Sequence, residues 1–191
     1  LPALNGLYSY HMVRGQCDAA ADPAQALLRV ARERGDAMYQ MIGHRAVGAV
    51  AFHLGEPVTA REHLQQAIAL YDRERHAQLA VTLGIDHKVI ASNFLSLTLF
   101  VLGERGAALA CQRENLAHAE TLDHAHSRAQ ALVFGCVLLA LCDEWQELPE
   151  WAERVVLLGQ QHGFPLMEGG GRFFLGAARA FGGTQPGDLE A

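Results

Sequence analysis

One recurrence constrains this chain more than any other feature. Gly15, Gly55, Gly103, Asp143 and Gly183 follow one another at intervals of 40, 48, 40 and 40 residues, each closing a stretch with apolar residues at helical spacing. Seven residues before each stand Tyr8, Gly48, Ser96, Cys136 and Gly176; five residues after each stand Ala20, Ala60, Ala108, Leu148 and Asp188. Small side chains, in four of five cases at the first offset and in the first three at the second, let two helix backbones approach, so the repeating unit reads as a helical hairpin. Residues 43–72 show it most plainly. Val47, Gly48, Ala51 and Phe52 lead into Leu54-Gly55, Pro57 opens a second helix, and Ala60, Leu64, Ala67 and Ile68 form its apolar stripe.

Extending that register predicts helices at roughly 3–14, 22–34, 37–54, 58–72, 87–102, 106–121, 124–142, 147–161 and 166–181. No sustained alternation of β-branched residues competes with them. The expected architecture is all-α, with a single repeat domain over 1–191 made of units at about 1–35, 36–72, 87–122, 123–163 and an incomplete 164–191. The interval of 48 requires an insertion, placed at 73–86 as a connector that packs back through Leu79, Val81 and Leu83 and ends on Asp86 as a helix cap. The fifth unit stops at Ala191 before a second helix, which reads as a piece of a larger protein with an apolar end near Phe174 and Phe181.

Composition excludes several function classes. Fifteen Lys+Arg against 21 Asp+Glu give a net charge of -6 without a basic block, which disfavours nucleic-acid binding by counterion release. The longest apolar run, Ala129 to Cys142, is too short to span a bilayer, and the N-terminus lacks the pattern of a signal peptide, so a cytoplasmic location is expected. Cys17, Cys111, Cys136 and Cys142 are dispersed without a CxxC pair and read as reduced thiols.

The small-residue, glycine, alanine pattern is similar to the tetratricopeptide repeat, although these units exceed its usual length of about 34 residues. The phrases HLGEPVTAREHLQQAIALYDRERH (53–76), LGERGAALACQRENLAHAETLDHAHS (102–127) and HGFPL (162–166) resemble the helical-repeat region of large bacterial signalling proteins. In that family such repeats accompany a STAND-type ATPase module with a class III nucleotidyl cyclase or a LuxR-type helix-turn-helix domain. The resemblance implies a right-handed α-α superhelix of about five hairpins and a regulatory, non-catalytic role. It covers only the repeat part: GxxxxGK[ST], the paired aspartates of a cyclase and a basic recognition helix are all missing from this sequence.

No catalytic constellation emerges. His118, Asp123, His124 and His126 are the densest histidine group, but His124 and His126 diverge at a helix start and read as turn and cap residues rather than metal ligands. Cys136 lies in an apolar run that makes a thiol inert. Gly169, Gly170 and Gly171 precede Arg172 at a helix entry, where a flexible or closely packed start of the helix explains them better than a phosphate nest. Accordingly no enzyme activity, cofactor or metal is expected.

Binding remains. In tetratricopeptide-like stacks the first helix of each hairpin lines the concave face, which nominates Arg45, Phe52, His53, Asn93, Phe100 and Phe173 as partner-binding residues. The face is mostly apolar and lacks a Lys/Arg cluster for a carboxylate terminus. A peptide, a neighbouring domain of the same polypeptide, or a second copy docking through the C-terminal edge would cover it; the bland alternative is that these residues are core. A rival function is a small-molecule sensor with a pocket inside the superhelix, made by Tyr8, Arg45, His53, Asn93 and the phenylalanines.

Overall fold

The computed structural model describes residues 1–182, of which the helices are α1 (Pro2–Val13), α2 (Cys17–Glu33), α3 (Ala37–His53), α4 (Pro57–Ala69), α5 (Arg73–His76), α6 (Leu79–Leu83), α7 (His87–Val101), α8 (Arg105–Glu120), α9 (Ala125–Leu141), α10 (Leu148–His162) and α11 (Pro165–Phe181). There is no strand among the described residues.

The recurrent glycine owes its place to backbone chemistry. Gly15, Gly55 and Gly103 take left-handed φ angles of 69°, 76° and 82° two residues after α1, α3 and α7 end. In each, the glycine N–H donates to the carbonyl three residues back and the next N–H to the carbonyl five back, as in Gly55 to Phe52 (3.2 Å) and Glu56 to Ala51 (2.8 Å). This satisfies helix-end carbonyls and turns the chain into the next helix within three residues. Asp143 makes the same pair of bonds, to Ala140 and from Glu144 to Leu139, at φ 57°. An L residue pays a steric cost in that region, so Asp143→Gly is expected to stabilise the protein by about 0.5–1 kcal/mol, read as a raised denaturation midpoint. Gly183 and Asp188, the last members of the pattern, lie outside the described residues.

Contacts divide the chain into two compact units, Leu1–Cys111 and Gln112 onward. In the first, α3 packs against α1, α2, α4 and α7, and α4 also packs on α7. Every residue from Met41 to Ala51 is therefore buried, polar ones included. Gly48 is where α4 comes closest: a Cβ there would lie 2.6 Å from Leu64 Cγ and 3.2 Å from the Ala60 carbonyl. Ala20, Ala60 and Ala108, the small residues after each turn, are fully buried. Arg61 in α4 pairs with Glu104 after α7 at 2.7 Å. In the second unit α10 packs on α9 and α11, with Leu132, Leu138, Leu148, Trp151 and Val155 as its core.

Two local expectations need correction. The second helix begins at Cys17 rather than 22, carrying Pro23 inside it. Pro23 cannot donate to a preceding carbonyl, but docking Ala20, Ala24 and Leu28 against Tyr8, Val47 and Val50 outweighs the lost bond. Residues 73–86 are not a plain connector either. Asp72 caps α5 through Glu74 and Arg75 N–H, and Gly84 ends α6 at φ 76°. Leu79 packs on the Leu27, Met41 and Ile42 cluster, whereas Val81 is 77% exposed and Leu83 is also exposed; Ala80 is the buried member of α6. A helical rather than extended connector rotates Val81 and Leu83 outward. Asp86 caps α7, accepting from Val89 N–H at 2.9 Å.

Candidate functional site

Two helix stripes meet in the first unit. On α3, Arg45 and Phe52 are seven residues apart and so share one face; on α7, His87 and Phe94 do the same. The Arg45 charge acts on His87, and the Phe52 and Phe94 rings lie 5.7 Å apart. Both pairs step by seven in the same direction, so the stripes run parallel, and seven residues at 1.5 Å per residue put the two pairs about 10 Å apart along the helices.

The aromatic end is accessible. His53 stands edge-on to Phe52 (5.4 Å) and to Phe94 (5.5 Å), and the two phenylalanines are half-buried. Partial burial lowers the His53 pKa, favouring a neutral ring.

The other end is polar and buried. Arg45 is 8% exposed; its guanidinium sits 5.1 Å from the centre of the Tyr8 ring and Nη1 donates to the Tyr8 hydroxyl at 3.4 Å. Its Nε–H is buried without an acceptor, and no carboxylate pairs with Arg45 among the described residues. His87 is 4% exposed, and neither ring nitrogen has a partner. Burial above all, then the Arg45 charge, push its pKa down to about 3 against the opposing pull of Asp86; His76 adds to the depression. Asp86 itself accepts from Tyr71 Oη at 2.7 Å and from Val89 N–H.

A second polar group lines an open groove of about 500 Å³ between α2, α3 and α4, formed by Arg32, His44, Glu62, His63, Gln65 and Gln66. Arg32 Nη2 lies 3.2 Å from His44 Nε2. Since a guanidinium can only donate, Nε2 accepts and the His44 proton belongs on Nδ1. The His44 and His63 rings are 5.0 Å apart, and both Nδ1 atoms are buried without partners.

The residues nominated from sequence are therefore only partly brought together. Phe52 and His53 join Phe94, and Arg45 joins Tyr8 and His87. Asn93 is fully buried in α7, although the register placed it on the binding face; α7 is covered by both α3 and α4. Phe100 is half-buried near the end of α7. Phe173 belongs to the second unit, is 69% exposed and stacks edge-on against Phe174 at 5.2 Å. The four polar residues proposed to share a small-molecule pocket do not form one cluster: His53 keeps company with phenylalanines two turns from Arg45.

His87 and Phe94 are not among the residues that the repeat register nominates on α7, which are Asn93 and Phe100. His87 directly follows the capping Asp86 as the first residue of α7. The i,i+7 relation to Phe94 was the available signal. Elsewhere, His124 caps α9, where Ser127 N–H donates to its Nδ1 at 3.2 Å. Burial pushes the Cys136 thiol up to about 12. Gly171 lies inside α11 with its Cα face against the Ala152 carbonyl and Val156, a close approach rather than an open nest. Among the described residues no group of three His, Cys, Asp or Glu is placed to hold a metal ion, and no helix is long and apolar enough to cross a membrane.

No family model matches the chain. An uncharacterised protein of Rhizobium meliloti (strain 1021) is 27% identical over 142 residues, a match that covers 74% of this chain and only 14% of that protein. Among solved structures, Rap protein complexed with Competence and Sporulation Factor superposes with a TM-score of 0.71 at 15% identity, covering 88% of this chain and 45% of that one. Two crystal structures of a Podosopora anserina putative kinesin light chain with nearly identical TPR-like repeats superpose at 0.69 and 16% identity, covering 100% of this chain and 90% of theirs. The fold of this chain is thus all-α and tetratricopeptide-like.

Proposed function

We propose that this chain is a non-catalytic protein- or peptide-binding repeat segment of a bacterial signalling protein, working as a scaffold whose occupancy biases an attached module. The observation that carries the reading is the half-exposed aromatic row of Phe52, His53 and Phe94 on paired inner helices of a tetratricopeptide-like fold. Aromatic rings offer large contact area at small entropic cost, which suits them to anchor a partner. Phe52, His53 and Phe100 belong to this surface, Arg45 lies buried at the other end of the same stripes, Asn93 lies buried in α7, and Phe173 offers a separate exposed patch. A solved relative in fold carries a bound factor, which supports the same use here. The signalling context rests on the phrases at 53–76 and 102–127; a relative of which the match covers only 14% supports repeats of this kind being a segment of a longer protein.

The reading is tested by placing a photo-crosslinking amino acid at Phe52 in the intact protein in its native cells, with Arg29 on the exposed side of α2 as the control position. One protein or peptide captured at Phe52 and not at Arg29 is the expected result. Identical profiles at the two positions would sink the scaffold reading.

A further inference from the structure

The polar end of the paired stripes holds an excess of hydrogen-bond donors over acceptors. Arg45 Nε–H is buried and unpartnered, the neutral imidazole of His87 carries one N–H that finds no acceptor, and the Tyr8 hydroxyl already accepts from Arg45, leaving its proton to be donated. A buried guanidinium beside a second donor and without a carboxylate is costly in the free protein, and helices α1, α3 and α7 nonetheless hold it there. The complement of such a site is an anion with planar acceptors, and a carboxylate matches the guanidinium fork. About 10 Å away along the same stripes lies the Phe52–Phe94 platform, the span of three residues of extended chain at about 3.3 Å each.

From this we infer that Tyr8, Arg45 and His87 form a carboxylate-binding site for a peptide that places an apolar or aromatic side chain on Phe52 and Phe94 three positions from its acidic group. The inference rests on the peptide-binding reading above and adds the chemistry of the ligand. One arginine, not a lysine and arginine cluster, supplies the charge, so selectivity comes from burial of that single fork and from the spacing to the aromatic platform. His87 contributes as a neutral donor. Being uncharged, it does not add to the cost of burying Arg45.

The probes are blocked tetrapeptides, acetyl-Phe-Ala-Ala-Glu-amide and its reverse order acetyl-Glu-Ala-Ala-Phe-amide, each against the Gln counterpart, with acetyl-Phe-Ala-Ala-Ala bearing a free C-terminal carboxylate. Binding is followed through the Arg45 Nε–H resonance in 15N-labelled full chain at constant ionic strength. At least one Glu peptide is expected to bind ten or more times tighter than its Gln counterpart and to move that resonance downfield; the free-terminus peptide matching it would assign the source as a chain end rather than a side chain. Arg45→Met is expected to abolish the Glu/Gln difference while raising the melting temperature by about 3 °C, because it removes a buried charge that the free protein does not neutralise. A melting temperature lowered by Arg45→Met, or Glu and Gln peptides that behave alike, overturns the assignment. The two readings fail separately. Glu-selective binding without any cellular crosslink at Phe52 leaves the site and removes the scaffold, whereas a crosslink unaffected by Arg45→Met, with no Glu/Gln difference, does the reverse.

Discussion

Lowering the pH from 7 to 5 is expected to remove about 4 kcal/mol of folding stability, because His44 and His87 are buried neutral and titrate only in the unfolded chain. Burial holds the His44 pKa at about 4, aided by His63 and Arg32, and holds His87 at about 3, aided by Arg45 and His76. Both values lie below the ordinary 6.5, so the folded state refuses protons that the unfolded state accepts as pH falls through 6.5. Stability is therefore complete above 6.5 and declines as pH drops toward 4 and then 3. Each histidine contributes about 1.4 kcal/mol per pH unit within that window. Opposing charges face these groups: Glu62 raises His63 and Asp86 raises His87, but neither reverses the sign. Urea midpoints at pH 7 and pH 5 measure the loss, and His44→Gln and His87→Gln should each remove roughly half of the difference. Coincident midpoints at the two pH values would show that these imidazoles reach water and protonate in place.

The same two histidines mark where sequence reading stops. The turn glycines were legible because a left-handed helix end has a local chemical signature, and Gly15, Gly55 and Gly103 express it with identical hydrogen bonds. Asp86 as a cap was legible for the same reason. Arg45, His44 and Asn93 were not. By type they belong near solvent, and only the packing of α3 against four other helices, and of α7 against two of them, buries these residues. Periodicity gives a helix its faces but not the number of neighbours that cover them. The start of α2 differs from the predicted 22 for the opposite reason: Pro23 is a strong local helix-start signal, and a non-local contact set carries the helix back to Cys17. The aromatic half of the candidate site could be nominated through Phe52 and His53, whereas its partner Phe94 depended on how α3 and α7 align.

Alanine substitution at two helical glycines should give effects of opposite sign, for a reason invisible in composition. Gly135 lies in α9 directly beneath the six-membered ring of Trp151 from α10, so closely that a Cβ would overlap the ring carbons. Trp151 is buried and its ring cannot swing into solvent without opening the core it shares with Leu148 and Val155. Gly135→Ala is therefore expected to cost about 3 kcal/mol, the upper end of overpacking penalties. Trp151→Ala should cost about 3–5 kcal/mol through lost burial and an unfilled cavity. In the double variant the new methyl occupies space the indole has left, so its cost should fall short of the sum by about 1–2 kcal/mol. Gly176 in α11 occupies the position seven before Gly183, where the repeat register anticipates close helix packing, yet nothing among the described residues lies within 4 Å of its would-be Cβ. Gly176→Ala should raise stability by about 0.5–1 kcal/mol, since only helix propensity changes. Denaturation of the four variants under one condition separates the two cases. Additive losses in the Gly135/Trp151 cycle would mean that the glycine does not make room for the indole, and the packing of α10 on α9 would then need another cause.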